Sequence, residues 1–178
     1  MMQLVARLPL RVLHALGSVL GWAIYGLSPT YRRHLRDNLA HAGYTDARTR
    51  RAAIAQAGKM IAESPKLWLR PREEIVALVH GFEGFEQAAA LHAAGRGIVF
   101  LTPHYGCFEI TAQAAAERLP LTVLYRPPRV QWLRPLMARG RSGRNITLAS
   151  ADLGGVRQLL SALKRRETVG ILPDQVPG

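Results

Sequence analysis

The stretch RGIVFLTPHYGCFEI, residues 96–110, decides the fold class. Its apolar run over 97–102 predicts a buried β-strand, and the turn residues that follow predict a sharp change of direction. CFEITAQAAAERL, residues 107–119, then has the apolar spacing of a helix. A short buried strand that passes directly into a helix is typical of a β-α unit in an α/β fold.

The rest of the chain after this stretch repeats the same alternation. Further strands are predicted for LTVLYR (121–126), NITLAS (145–150) and TVGILPD (168–174). Helices are predicted between them over 129–140 and 153–167. Pro135 is expected to interrupt the first of these helices. Four strands separated by helices predict a mainly parallel sheet with right-handed crossovers, within an α/β domain that extends over residues 31–178.

The segments before this alternation are helical in pattern. Residues 48–68 place apolar side chains on one helical face, with a break expected at Pro65, and a second helical piece follows Pro71. Near the N-terminus, Val12–Leu27 is 16 residues of mostly apolar character. A tilted membrane span, a helix in the membrane interface and a buried helix of a soluble domain all fit this length.

Residues 1–30 are therefore predicted to be a membrane-associating apolar helix. If this helix spans, three arginines after it outweigh two before it, which would hold the following domain on the cytoplasmic side of the membrane. The arginines in question are Arg32, Arg33 and Arg36 after the segment, and Arg7 and Arg11 before it.

The charge of the chain predicts an acidic partner. Its formal net charge is +12 and its pI is near 11.1, so nucleic acid, an anionic membrane, a phosphorylated substrate or an acidic carrier protein would each be attracted. The single cysteine, Cys107, excludes an intramolecular disulfide framework and a cysteine-based zinc cluster. No pattern of metal ligands or nucleotide-binding loop occurs in the sequence, and no cofactor is predicted.

Conspicuous polar residues follow the predicted strands: His104, Arg126, Ser150 and Asp174. Ligands of open parallel sheets bind at the carboxyl ends of the strands, so a site is expected there. His41 and Asp46 have the same five-residue spacing as His104 and Glu109, but they lie in a turn between helical segments and are expected on the solvated surface.

His104 and Glu109 are candidates for an acid/base pair. Glu109 is predicted in the first helical turn, where side chains lean back toward the N-terminus and hence toward His104. A carboxylate there could fix the imidazole tautomer and leave the other ring nitrogen free to accept a proton. A histidine that only caps the helix is the alternative. Cys107 could be a nucleophile of lowered pKa or a small side chain that fills the strand-helix junction.

Four motifs in order, HYGCFE, VLYRPPR, RGRSGRN and GILPDQVPG, resemble those of the bacterial lipid A biosynthesis acyltransferases, the lauroyl and myristoyl transferases. The similarity extends from about Leu13 to the last residue. It implies a membrane-associated acyltransferase of the glycerolipid acyltransferase type at the cytoplasmic face of the cell inner membrane. An acyl carrier protein thioester would be the donor, and a hydroxyl of an anionic glycolipid the acceptor.

The resemblance also implies roles for individual residues. His104 would be the general base and Glu109 its orienting partner. Arg126, an arginine of the RGRSGR segment (Arg139 or Arg141) and Asp174 would bind substrate. These residues identify the acyl-transfer reaction better than they identify the acceptor molecule.

Members of the resembled family continue beyond the position at which this chain ends. The chain is therefore expected to be an N-terminal fragment that is incomplete at the C-terminus. Acylation of another glycolipid or of a lysophospholipid is an alternative function. A basic nucleic-acid-binding module around residues 126–144, or a membrane-anchored protein without catalytic activity, are alternatives from other classes.

Overall fold

The computed structural model describes residues 2–174, which divide into two compact units. The first unit extends to Lys66 and the second begins at Leu67. The segment 1–30, predicted as membrane-associating, falls within the first unit, and its boundary at residue 30 stays a prediction.

The first unit is helical. Its helices are α1 (Met2–Arg7), α2 (Leu10–Leu27), α3 (Pro29–His41) and α4 (Ala47–Leu69), of which α4 ends in the second unit. Ser28 separates α2 from α3 because its hydroxyl accepts a hydrogen bond from the Tyr31 N–H at 3.3 Å, a typical N-cap. Leu13 and Ile54 are the most deeply buried large side chains of this unit.

Within the described residues 2–174, α2 is the helix that is long and apolar enough to cross a membrane by length and composition. Only 17% of its 18 residues are buried within the protein, so most of its apolar surface faces outward.

The break expected at Pro65 was wrong, because α4 continues through this residue. Proline removes one backbone hydrogen bond from a helix and crowds the preceding turn, at a cost of about 3 kcal/mol. The helix has 23 residues and buries Ile54 and Leu67 on either side of Pro65, so packing at both ends holds it in one piece. The Ser64 hydroxyl also donates to the Met60 carbonyl oxygen at 3.0 Å in this turn.

The second unit is an α/β unit, as predicted. Its strands are β1 (Ile98–Leu101), β2 (Leu121–Tyr125), β3 (Ile146–Ser150) and β4 (Thr168–Ile171). Its helices are α5 (Arg72–Val76), α6 (Phe85–Ala93), α7 (Phe108–Ala115), α8 (Arg134–Arg141) and α9 (Leu153–Lys164). The helix expected over 129–140 is instead a 3₁₀ turn (Gln131–Leu133) followed by α8, which begins at Arg134, because Pro135 fits the first turn of a helix.

The four strands form one parallel sheet in the order β1-β4-β2-β3. The last strand along the chain therefore lies between the first two. Ala116, Leu121 and Ile146 form one core cluster. A second cluster contains Leu159 and Ala162 of α9 and Val169 of β4. The parallel α/β architecture was predicted correctly, whereas the sequence had not indicated the order of the strands.

Candidate active site

The order of the strands brings two distant segments together. β1 pairs with β4 so that Leu101 lies beside Ile171, and the Thr102 N–H donates to the Ile171 carbonyl oxygen at 3.0 Å. His104 and Asp174 each lie three residues beyond the end of their strand. The two side chains therefore meet at the carboxyl edge of the sheet, although they are 70 residues apart in sequence.

His104 and Asp174 form two hydrogen bonds. The backbone N–H of His104 donates to Asp174 Oδ2 at 2.7 Å, and His104 Nδ1 lies 2.7 Å from Asp174 Oδ1. These hydrogen bonds hold the pKa of Asp174 below its usual range, and the bond with the imidazole contributes most. An ionised carboxylate only accepts hydrogen bonds, so Nδ1 carries a proton, and in the neutral imidazole Nε2 is the nitrogen with a lone pair.

The imidazole is also held from a second side. The Phe108 ring packs edge-on against it with ring centroids 4.6 Å apart. Phe108 begins α7, and Gly106 makes the preceding turn in the left-handed region at φ 58°, which glycine adopts without a steric penalty. This turn lets the chain reverse within four residues of His104.

Glu109 lies in the first turn of α7, as expected, but its partners differ from the expected one. Its carboxylate accepts a hydrogen bond from Arg141 Nε at 2.9 Å, a second from Arg141 Nη2, and a third from Trp68 Nε1 at 3.2 Å. In the described part of the chain it forms no hydrogen bond with His104, so Asp174 takes the place that the sequence had suggested for Glu109. The guanidinium carries a full positive charge and meets the carboxylate with two donors, which a neutral imidazole cannot match.

Arg141 is fixed on other sides as well. Its guanidinium lies over the Tyr125 ring, 5.6 Å from the centroid. Gln113, which is buried, donates from Nε2 to the carbonyl oxygens of Gly140 and Leu67 at 3.1 and 3.3 Å. The end of α8 is therefore fastened to α7 and to the last turn of α4 that belongs to this unit.

His104, Glu109, Arg126 and Arg141 all line one cavity of about 560 Å³. Arg126 directly follows β2, is exposed, and forms no hydrogen bond or ion pair with any residue in the range 2–174. Its guanidinium is therefore available to an anionic ligand. Glu109, by contrast, is almost enclosed, with 9% of its side chain exposed.

A second cavity, of about 300 Å³, adjoins the first. The two share wall residues from α7 and from the two central strands: Thr111, Ala112, Val123, Ile171 and Leu172. The second cavity is lined mostly by apolar side chains, among them Phe82, Phe85 and Phe100. A polar cavity lined by a histidine and an exposed arginine therefore opens beside a space suited to a hydrocarbon.

Other residues singled out in the sequence lie outside the cavity lining. Arg139 is exposed on α8, and Ser150 is exposed at the end of β3. Cys107 is half-buried at the residue before α7.

The pair with the same spacing as His104 and Glu109 has an ordinary structural explanation. His41 Nδ1 hydrogen-bonds the Asp37 carbonyl oxygen at the end of α3, and Asp46 Oδ1 caps α4 by accepting from the Thr49 N–H. Both residues are exposed, as expected for the solvated surface. Across residues 2–174, no group of three or more His, Cys, Asp and Glu side chains is arranged to hold a metal ion.

Sequence reasoning missed Trp68 and Tyr125. Tyr125 immediately precedes Arg126 at a strand end, and this position was the available indication that it lines the site. Trp68 is 41 residues from Glu109, and no local pattern predicts their hydrogen bond.

Comparisons with known proteins bear on the family of the chain. No curated protein matches the chain significantly. The family model described as bacterial lipid A biosynthesis acyltransferase matches residues 1–178, the whole chain. A parallel α/β sheet preceded by an apolar helix is the fold that the resemblance had implied. The chain belongs to the bacterial lipid A biosynthesis acyltransferase family and is an acyltransferase.

Proposed function

We propose that this protein transfers a fatty acyl chain from an acyl carrier protein thioester to a hydroxyl group of a lipid A precursor or a related glycolipid, and that His104 is the general base. The observation that carries this proposal is the Asp174 carboxylate 2.7 Å from Nδ1 of His104, a histidine that lines the same cavity as Arg126. This contact leaves Nε2 as the ring nitrogen that can accept the proton of the acceptor hydroxyl.

The reaction needs few protein groups. Nε2 of His104 takes the proton of the acceptor hydroxyl while the hydroxyl oxygen attacks the thioester carbonyl carbon. The C–O bond forms, the carbonyl oxygen becomes an oxyanion, and the C–S bond then breaks. The thiolate leaves with the proton that His104 returns to it, so atoms and charge balance and no covalent enzyme intermediate is needed.

Positive charge is available where negative charge develops or binds. Arg126 is the exposed guanidinium of the cavity and could hold an acceptor phosphate or stabilise the oxyanion. The positive end of the α7 dipole lies on the same side as His104 and adds to this field. Arg141 has a different role in the proposal, because Glu109 already neutralises it and holds it in the wall of the cavity.

The adjoining apolar cavity supports a fatty acyl donor. Phe82, Phe85 and Phe100 would surround the hydrocarbon, and the walls shared with the polar cavity would keep the thioester carbonyl close to His104. The net charge of +12 supports an acidic carrier protein as the form in which the donor arrives, and an anionic membrane as the place where the acceptor is found. We place the reaction at the cytoplasmic face of the inner membrane.

The test is an acyl-transfer assay with the complete gene product. Purified protein is incubated with a radiolabelled acyl carrier protein thioester and a lipid A precursor, and the ester product is resolved by thin-layer chromatography. We expect labelled glycolipid, and a loss of roughly 10²-fold or more in turnover for His104→Ala. His41→Ala is the matched control, since it removes an exposed histidine of the first unit that does not line the cavity, and should retain full turnover.

Parallel reactions identify the substrates. A coenzyme A thioester in place of the carrier protein tests the donor, and a lysophospholipid in place of the glycolipid tests the acceptor. Faster transfer to the lysophospholipid would overturn the proposed acceptor, and equal turnover in folded His104→Ala would overturn the proposed base.

A further inference from the structure

One face of α2 is apolar and is not covered by the rest of its unit. Five large apolar side chains are exposed there at spacings of four, three, one and seven residues, which place them on a single helical stripe. These residues are Val12, Leu16, Val19, Leu20 and Leu27, and their exposed fractions range from 39% to 85%. Trp22, exposed at 45%, lies beside the stripe.

The opposite face of α2 is in backbone contact with α4. A Cβ atom added to Gly17 would lie 2.7 Å from Lys59 Cα and 2.8 Å from the Gly58 carbonyl oxygen. One added to Gly58 would lie 2.5 Å from the Gly21 backbone nitrogen. The three glycines therefore let two helices touch at the middle of α2, where any larger side chain would separate them.

The helix that touches α2 carries charged groups at this same level. Lys59 follows Gly58 directly, and His14 of α2 hydrogen-bonds Glu63 at 3.0 Å. Toward the start of α2, Lys66 Nζ donates to the carbonyl oxygens of Leu8 and Ala6 at 3.0 and 3.3 Å. Charged and polar groups of α4 therefore follow α2 from its middle to its N-terminal end.

A spanning orientation of α2 would carry these groups into the hydrocarbon. Lysine at the centre of a bilayer costs about 2.5 to 3.5 kcal/mol on insertion scales, and Lys59 lies beside the middle of the helix. A helix that lies flat in the interface avoids this cost, because its apolar stripe faces the acyl chains while α4 remains on the aqueous side.

The distribution of arginine favours the same orientation. Arg7 and Arg11 are exposed before and at the start of α2, and Arg33 and Arg36 are exposed in α3, just after its end. A spanning helix usually carries its excess of basic residues on one side. Basic residues at both ends suit a helix whose two ends meet the same layer of anionic headgroups.

We infer that α2 lies in the plane of an anionic lipid surface, with the stripe Val12, Leu16, Val19, Leu20 and Leu27 inserted, and that it does not cross the bilayer. The Gly17–Gly21–Gly58 contact fixes this orientation by holding α2 against the polar helix α4. The inference rests on the first unit alone and is independent of the proposed chemistry.

Cysteine labelling tests the orientation in a protein whose single cysteine is replaced by Cys107→Ala. Gln3→Cys and Thr30→Cys place single exposed thiols before and after α2. Sealed inside-out and right-side-out inner-membrane vesicles are treated with a membrane-impermeant maleimide. We expect both thiols to react only in the inside-out vesicles; labelling of the two from opposite sides would show that α2 spans the bilayer.

Vesicle binding tests the stripe itself. Val19→Glu places a charge within the stripe, and Thr30→Glu makes the same change of charge on an exposed residue outside it. With phosphatidylglycerol-containing vesicles, Val19→Glu should lower the partition coefficient by about 10-fold or more, because a buried apolar side chain is lost from the lipid. Equal binding of the two variants, with unfolding curves unchanged, would overturn the inference.

Discussion

Glu109→Gln separates a role in holding Arg141 from a role in orienting His104. The substitution keeps the volume and one carbonyl oxygen, but it removes the negative charge and puts an NH₂ group near the donors of Arg141. In the wild type, Arg141 Nε and Nη2 and Trp68 Nε1 all donate to this carboxylate. At least one of these donors loses its acceptor in the variant.

The magnitude follows from the burial of the pair. Hydrogen bonds to charged groups contribute about 1.5 to 3 kcal/mol each, and breaking a fully buried ion pair costs about 3 to 5 kcal/mol. Arg141 keeps 26% of its side chain exposed, so water compensates part of this loss. We expect the free energy of unfolding to fall by about 2 kcal/mol, which corresponds to a melting temperature lower by roughly 4 to 8 °C for a protein of this size.

The assay is thermal unfolding followed by circular dichroism at a fixed detergent concentration, with turnover measured on the same preparations. Glu117→Gln is the matched control, because Glu117 accepts from Arg72 Nε at 2.6 Å but is 46% exposed, so its change should stay below about 1 kcal/mol. Glu109→Gln should retain more turnover than His104→Ala. An unchanged melting temperature together with turnover as low as that of His104→Ala would refute this reasoning and show that Glu109 orients His104.

Three further predictions concern Asp174, which is the partner of His104, and Tyr125 and Arg126, which line the cavity. Asp174→Asn should lower turnover by roughly 10²-fold, because an amide can donate to Nδ1 and leave the wrong tautomer of His104. The pKa of Asp174 is lowered in the folded state, so the ionised carboxylate stabilises the fold at pH values above the ordinary aspartate pKa. This stabilisation is lost as the pH falls through the pKa of the folded state. The urea unfolding curves of wild type and variant should therefore differ near neutral pH and converge in acid. Tyr125→Phe removes a buried hydroxyl that has no hydrogen-bond partner among the described residues while keeping the ring under Arg141, so unfolding should show equal or higher stability, and a clear loss would reveal a hidden partner. Arg126→Ala should raise KM for the anionic acceptor by about tenfold or more with the fold intact, and an unchanged KM in steady-state assays would exclude this contact.

The sequence predicted the elements of the sheet because their patterns are local. Each strand is a run of four or five mostly apolar residues, and the helices between them have helical spacing. Strand order depends on pairing between segments far apart in the chain, and local pattern does not encode it. The pairing of β4 with β1 brings Asp174 next to His104.

The same limit explains the partner of Glu109. The lean of a first-turn side chain toward the N-terminus made His104 its nearest candidate in sequence. Arg141, 32 residues later, competes with a formal charge and two aligned donors, and its approach depends on how α8 packs on α7. Likewise, the propensity of Pro65 to end a helix was overridden by burial of Ile54 and Leu67 on either side.

A pair of double-mutant cycles on turnover tests most directly which carboxylate acts with His104. Alanine variants of His104, Asp174 and Glu109, with the doubles His104→Ala/Asp174→Ala and His104→Ala/Glu109→Ala, are assayed in single-turnover acyl transfer. If Asp174 acts only through the imidazole, the first double should be no slower than His104→Ala alone, while the second should be slower by nearly the factor that Glu109→Ala causes by itself. The opposite pattern, with Asp174 additive and Glu109 fully coupled to His104, would contradict the account.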